Sequence, residues 1–195
     1  MLKKPTLVLL LLFTCAIGIC QNKPNNIATP KYEFPLIFQL PNDEWHIAVN
    51  KPPGEYIFKR NGVTDSKGNL VIPAIMMYAE DATGYKQDVA LFASKKMQPF
   101  TDQGVKPQHF LTYKDVGYPL NFKNGIYIKG IYTANNIDHV IYMIYLIDKH
   151  NKGIQVYMDM TTEVAKEYEP EFWVTIKSLK EVEWSGRIME FKNWS

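Results

Sequence analysis

The chain has 195 residues, a formal net charge of +2 and two cysteines, and this length suits one well-packed domain. Lys3, Lys4 and both cysteines, Cys15 and Cys20, lie in the first 20 residues. Without that segment the Lys+Arg count falls from 22 to 20 and equals the 20 Asp+Glu. Such a neutral, cysteine-free domain excludes nucleic-acid binding, which needs neutralised phosphates, and it excludes disulfide and thiol chemistry.

Residues 1–20 have the pattern of a secretory signal peptide. Lys3 and Lys4 precede an apolar run over residues 7–20, which is shorter than the roughly 20 residues of a spanning helix. Cleavage after Cys20 would start the mature chain at Gln21. Two alternatives stay open: Cys20 becomes the lipidated first residue of a lipoprotein, although Ile19 precedes it where a small residue is usual, or the segment is not removed. We therefore expect an exported protein, periplasmic or extracellular, that is held at a membrane only if Cys20 is lipidated.

Residues 21–33 are rich in Asn, Lys and Pro and predict a flexible leader before a single domain over residues 34–195. The pattern of apolar and turn residues in the first half of this domain predicts mainly strands. It also predicts one helix over residues 85–97, which Pro99 ends. Pro73 marks an edge or a bulge in the third strand. The predicted strands are residues 34–40, 56–60, 70–78, 108–113 and 126–133.

The clearest element is a β-hairpin over residues 138–160, in which two apolar segments flank the polar loop DKHNKG. If Asp148 faces Gly153, Ile147 pairs with Ile154 and Tyr145 pairs with Val156. In that register the strand face that holds Ile147 and Tyr145 is wholly apolar on both strands.

A helix is predicted over residues 169–180, with Pro170 at its first position. Phe172, Ile176 and Leu179 fall on one stripe that should pack against the apolar face of the hairpin. Neighbouring strands with few helices between them predict an α+β fold, an antiparallel sheet flanked by helices.

This order of elements resembles the PsbP-like family, whose fold is shared with a Ran-binding nuclear import factor. The resemblance covers roughly residues 34–180 and rests on Pro41, Trp45, Phe172, Ile176 and Leu179. It implies an antiparallel sheet flanked by helices and no catalytic centre. These are packing and turn residues, so the resemblance transfers no functional residue.

No catalytic, metal or cofactor motif occurs in the chain. The four histidines show neither HExxH nor another pair at ligand spacing, and no G-x-S-x-G, G-x-G-x-x-G or P-loop is present. The sequence therefore predicts no catalytic residue, no metal ligand and no cofactor.

The first strand of the hairpin is apolar on both sides. Its second face predicts a surface for a partner or an apolar ligand, to which two tyrosines can contribute. The candidate surface residues are Val140, Tyr142, Ile144, Leu146, Tyr127 and Tyr157. The alternative is a central strand covered by another layer or by the leader. The aromatic tail at residues 184–194 is a further candidate to cover this face or to extend the sheet.

Three functions follow from these observations. The first is an exported, non-enzymatic binding or accessory domain that acts on a protein partner in the cell envelope. The second is a carrier of a small molecule or lipid, in which the same apolar residues line a cavity. The third is an enzyme with a dispersed site, for example Asp43, His46 and Asp159.

Overall fold

The computed structural model describes residues 26–28, 36–51 and 54–181. The predicted signal peptide, Cys20 and the aromatic tail at residues 184–194 lie outside the described residues. Within them, the predicted leader is partly strand, because Asn26–Ala28 pairs with residues 37–39.

The described residues fold as twelve strands and two helices. In chain order the strands are β1 Asn26–Ala28, β2 Leu36–Gln39, β3 Trp45–Lys51, β4 Glu55–Arg60, β5 Val63–Thr64, β6 Leu70–Val71, β7 Ala74–Asp81, β8 Lys106–Thr112, β9 Gly125–Ala134, β10 Ile137–Ile147, β11 Lys152–Thr161 and β12 Lys180–Glu181. The helices are α1 Val89–Asp102 and α2 Thr162–Ser178, and Thr83–Tyr85 forms one 3-10 turn. The predicted strand over residues 70–78 is divided at Pro73, where an edge or a bulge was expected: β6 ends before this proline, and β7, which is flanked by two strands, begins after it.

Seven strands form one antiparallel sheet in the order β3-β4-β7-β11-β10-β9-β8. The other strands form a small sheet, β1-β2-β12, and the two-stranded β5-β6 ribbon. This architecture confirms the predicted fold class, an antiparallel sheet flanked by helices.

The two helices cover opposite faces of the large sheet. Tyr142 and Ile144 of β10 pack in one hydrophobic core with Phe172 and Ile176 of α2. The alternate residues of β10 pack in a second core with Phe92 of α1. Because side chains alternate along a strand, these cores lie on the two sides of the sheet, and we call the sides the α2 face and the α1 face.

The hairpin register differs by one residue from the predicted one. Ile147 pairs with Gly153, and Leu146, not Ile147, pairs with Ile154. The reason is a shorter loop, because the Asp148 carboxylate accepts hydrogen bonds from the backbone nitrogens of His150 and Lys152 at 2.8 and 2.7 Å. A shift of one residue exchanges the two faces of a strand. Consequently α2 packs on the Tyr142 side of β10, where the prediction had the Tyr145 side.

Each helix continues across a proline that was expected to bound it, and α1 begins four residues later than predicted. α1 begins after Asp88, whose carboxylate accepts from the backbone nitrogen of Leu91 at 2.9 Å, and it continues past Pro99. α2 begins after Thr161 and contains Pro170. A proline removes one hydrogen bond from the interior of a helix, and burial of the apolar side of each helix outweighs that loss.

The small sheet extends the α2 face. Its strand β2 contributes Leu36 and Phe38, both 0 % exposed, to the same core as α2. Side chains of α2 also bond its backbone: Ser178 Oγ accepts from Gln39 N at 2.8 Å, and Thr175 Oγ1 donates to Gln39 O at 2.9 Å. The α2 face is therefore covered more completely than the α1 face.

Candidate protein-binding surface

The structure buries all six residues of the predicted surface. Five of them pack in the core of the α2 face, and Tyr157 lies on the opposite face. Their exposed fractions are Val140 3 %, Tyr142 0 %, Ile144 0 %, Leu146 1 %, Tyr127 3 % and Tyr157 4 %. This placement corresponds to the alternative of a covered central strand. Partner contact through these six residues stays a prediction that no exposed area supports.

The α1 face presents a different surface, at its β3-β4-β7 side. Val49 pairs with Ile57, Ile57 with Met76, and Met76 with Tyr157, so these side chains form one row across four strands. Val49, Ile57, Met76 and Tyr78 are only half-buried. We call these four residues the open sheet face.

The open sheet face exists because one helix cannot cover seven strands. A helix is about 10 Å across, whereas seven strands spaced about 4.8 Å apart span roughly 30 Å. α1 packs over β9 and β10, and its Phe100 reaches β11, where its ring lies 4.8 Å from that of Tyr157. Among the described residues, no helix or strand covers the β3 and β4 side of this face.

A chain of polar side chains forms the border between α1 and the open sheet face. The Tyr157 hydroxyl donates to Gln155 Oε1 at 2.6 Å, and Gln155 Nε2 donates to Glu80 at 3.3 Å. Glu80 in turn pairs with Lys96 of α1 at 2.6 Å. These contacts hold α1 beside the open sheet face, and they place the Lys96–Glu80 ion pair at the border of that face.

A cluster of three side chains borders the other end of the open sheet face. Tyr132 donates to Asp159 Oδ1 at 3.0 Å, and His139 Nδ1 lies 3.4 Å from the same oxygen. The Tyr132 and His139 rings stack with centroids 4.8 Å apart. Burial raises the pKa of Asp159 above its ordinary value, and the neighbouring His139 and Tyr132 offset only part of that effect.

The structure does not bring together the residues of the predicted dispersed enzyme site. His46 lies in β3 and Asp159 in β11, and the row that joins them passes through Lys59 and Ala74. Three strand spacings put them about 14 Å apart, and Asp43 lies in the loop before β3. No group of three His, Cys, Asp or Glu side chains in the described ranges is placed to hold a metal ion.

A second polar cluster joins α2 to the first strands of the sheet. Glu171 of α2 accepts from Trp45 Nε1 at 2.7 Å, from Arg60 Nε at 3.0 Å and from Asn42 Nδ2 at 3.1 Å. The Arg60 guanidinium also lies over the Tyr168 ring, 4.4 Å from its centroid. Both oxygens of the Glu171 carboxylate accept hydrogen bonds from side chains near β3 and β4, so this cluster is structural.

The open sheet face was not predicted from the sequence, although the sequence of β7 carries one indication of it. β7 is apolar on both sides: Ile75 and Met77 are buried in the α2-side core, and Met76 and Tyr78 alternate with them. A two-sided apolar strand indicates cover on both faces. Sequence spacing alone does not indicate that α1 stops short of this strand.

No known protein family and no curated protein sequence matches the chain. Solved structures do match it. The chain is similar to the Ran-binding protein Mog1p of Saccharomyces cerevisiae, with a TM-score of 0.54 and 9 % identity over 84 % of this chain and 98 % of Mog1p. A Mog1 point mutant gives a TM-score of 0.52 at 10 % identity, over 82 % of this chain and 97 % of the mutant.

The chain is also similar to LpqN, a protein involved in cell envelope biogenesis of Mycobacterium tuberculosis. The TM-score is 0.51 and the identity 10 %, over 83 % of this chain and 91 % of LpqN. At these identities the similarity shows the fold alone. It confirms the shared fold that the sequence resemblance implied, and it does not extend to membership of the PsbP-like family.

No helix of the described ranges combines the length and the apolarity that crossing a membrane requires.

Proposed function

We propose that this protein is an exported, non-enzymatic domain that binds a protein partner in the cell envelope through the open sheet face. The observation that carries the proposal is the half-buried apolar row of Val49, Ile57 and Met76 on a sheet face that α1 covers only in part. Apolar surface of this kind, with a polar border, is typical of a protein-binding site.

The comparisons support a binding role by analogy of fold. Mog1p is described as Ran-binding, and LpqN as involved in cell envelope biogenesis. Proteins that share a fold bind different partners, so the surface of this chain decides which kind of partner it suits. The mixed border, with the Lys96–Glu80 pair at one end and Asp159 at the other, suits a partner with an apolar centre and a polar rim.

Affinity capture from the envelope fraction tests the proposal with two matched variants. Ile57→Lys places a charge on the open sheet face. Ile131→Lys makes the same change on β9, where Ile131 is 39 % exposed on the other face of the sheet. We expect a protein that is recovered with the wild type and with Ile131→Lys and is lost with Ile57→Lys. Equal recovery with all three proteins would show that the open sheet face is not the binding site.

Export is a separate part of the proposal and has its own test. The mass of the purified protein distinguishes a mature chain that starts at Gln21 from one that carries lipid on Cys20. A mass that includes residues 1–20 would overturn export by signal cleavage.

A carrier of a small molecule is the second candidate function. The supporting observation is a groove of about 520 Å³ beside α2, a size within the range of small-molecule sites.

A further inference from the structure

The groove beside α2 lies on the α2 face, on the opposite side of the sheet from the open sheet face. The last turns of α2 form one wall, and the loop after β8 forms the other. The lining residues are Gly117, Tyr118, Pro119, Asn121, Trp173 and Lys177.

The aromatic walls of the groove are held in place by the rest of the fold. The Trp173 ring packs against Tyr127 and Tyr142, with centroid distances of 5.8 and 6.4 Å. Across the groove, the Tyr118 hydroxyl donates to the Phe122 carbonyl oxygen at 2.8 Å. A ligand would therefore meet an apolar surface that needs little reorganisation.

The loop wall is fixed by its own hydrogen bonds. Asp115 Oδ2 accepts from Thr112 N and Thr112 Oγ1 at 2.7 and 2.8 Å, and the Tyr118 nitrogen donates to Asp115 O at 3.2 Å. The bonds from Thr112, the backbone one first, lower the pKa of Asp115. This carboxylate is thus already satisfied within the loop.

Unlike the Asp115 carboxylate, two polar side chains that line the groove have no hydrogen-bond partner among the described residues. Within the described part of the chain, neither the Asn121 side chain nor the Lys177 ammonium has a hydrogen bond or an ion pair. The Lys177 ammonium lies 6.0 Å from the centroid of the Trp173 ring. The groove therefore offers one unpaired positive charge beside an aromatic face, and an amide that can both donate and accept.

We propose that this groove binds a sugar acid, with the pyranose ring on Trp173, the carboxylate on Lys177 and a hydroxyl group on Asn121. The C–H bonds of a sugar ring carry a slight positive charge and match the negative face of the indole. A carboxylate on an ammonium forms a charge-assisted hydrogen bond. A hydroxyl group both donates and accepts, as the Asn121 amide does.

A peptide suits the groove less well. No strand edge lines it, so a peptide cannot add a strand to a sheet there. The Tyr118 hydroxyl already donates its hydrogen bond to the Phe122 carbonyl oxygen, so it is not available to the carbonyl groups of a proline-rich segment. The volume of about 520 Å³ accommodates one or two rings rather than a helix.

NMR titration of the purified protein at low salt tests the proposal, with D-glucuronate and D-glucose as probes. We expect D-glucuronate to shift the Trp173 indole and Asn121 amide signals and to bind about tenfold more tightly than D-glucose. Lys177→Gln should weaken D-glucuronate binding about tenfold and leave D-glucose binding unchanged. Lys166→Gln, which removes the same charge from an exposed position of the same helix, should change neither.

Three results would overturn the proposal. They are equal binding of the two sugars, equal weakening by Lys177→Gln and Lys166→Gln, and signal shifts with an acidic proline-rich peptide but not with D-glucuronate. Both lysines are exposed on α2, so neither variant should disturb the fold, and circular dichroism checks this. Because the groove and the open sheet face lie on opposite faces, failure of this proposal leaves the partner-binding proposal to its own experiment.

Discussion

Asp159 shows how the environment of a single residue sets a pH dependence. Its side chain is 26 % exposed and shares one oxygen with both Tyr132 and His139. Burial disfavours the charged form and raises the pKa of Asp159, and the two neighbours reduce this effect without cancelling it. The folded protein therefore holds the Asp159 proton to a higher pH than the unfolded chain does.

We predict that Asp159→Asn changes the pH dependence of stability. Below the ordinary pKa of an aspartate, about 3.9, both states are protonated and Asp159 imposes no penalty. As pH rises, the unfolded chain loses this proton first, so the wild-type free energy of unfolding decreases until the raised pKa of Asp159 is passed. Asparagine does not titrate, so the advantage of Asp159→Asn over the wild type should grow from pH 4 to pH 7. Urea unfolding at four pH values measures it, and a difference that is constant or shrinks with pH contradicts the prediction.

At the scale of elements, α2 is the part that joins the two ends of the fold. Its residues Phe172 and Ile176 pack on the hairpin, and Glu171 bonds Trp45 and Arg60 of β3 and β4. The Glu171 and Arg60 side chains are only 18 % and 12 % exposed. Removal of the carboxylate would leave a guanidinium and an indole N–H without their acceptor in a partly buried site.

We predict that Glu171→Ala lowers the free energy of unfolding by about 2–4 kcal/mol, because the partners of a buried charge are left unpaired. Glu167→Ala is the matched control, since Glu167 is exposed on the same helix, and surface changes stay within about 0.5 kcal/mol. Urea unfolding at neutral pH compares the two. Equal effects of the two variants would mean that the Glu171 hydrogen bonds do not stabilise the packing of α2 against β3 and β4.

The elements also show what the sequence can predict and what it cannot. The hairpin and both helices were predicted because their apolar spacing is strong. The predicted end of α1 at Pro99 and the predicted start of α2 at Pro170 were wrong. Whether a helix tolerates a proline depends on how much apolar surface it buries, and this burial is set by tertiary packing. The hairpin register was wrong because it depends on how Asp148 closes its loop, a detail that two hydrogen bonds decide. The sequence also does not indicate that the six residues of the predicted binding surface are buried, because their cover comes from helices packing on both faces of the sheet.

At the scale of the whole molecule, the large sheet separates two hydrophobic cores. Phe92 lies in the core of the α1 face, with its ring 6.2 Å from that of Tyr145. Phe172 lies in the core of the α2 face, 5.6 Å from Tyr142. The two phenylalanines share no core, and β10 passes between them.

We predict that Phe92→Leu and Phe172→Leu act additively within one cooperative transition. Each should lower the free energy of unfolding by about 1–2 kcal/mol. Because they contact different residues, the double variant should equal the sum within about 0.5 kcal/mol. Denaturant unfolding followed by fluorescence and by circular dichroism measures this. A coupling above about 1 kcal/mol, or two separate transitions, would show that the sheet does not partition the cores in this way.

The order of strands in the large sheet also has a consequence for how the chain folds. β8, β9, β10 and β11 are consecutive in sequence and adjacent in the sheet, and α2 follows directly. β11 then pairs with β7, from which a helix and three strands separate it along the chain. Local pairings close short loops and form early, whereas distant ones form late. The C-terminal meander is thus the expected nucleus, and the strands that carry the open sheet face are the last to join it.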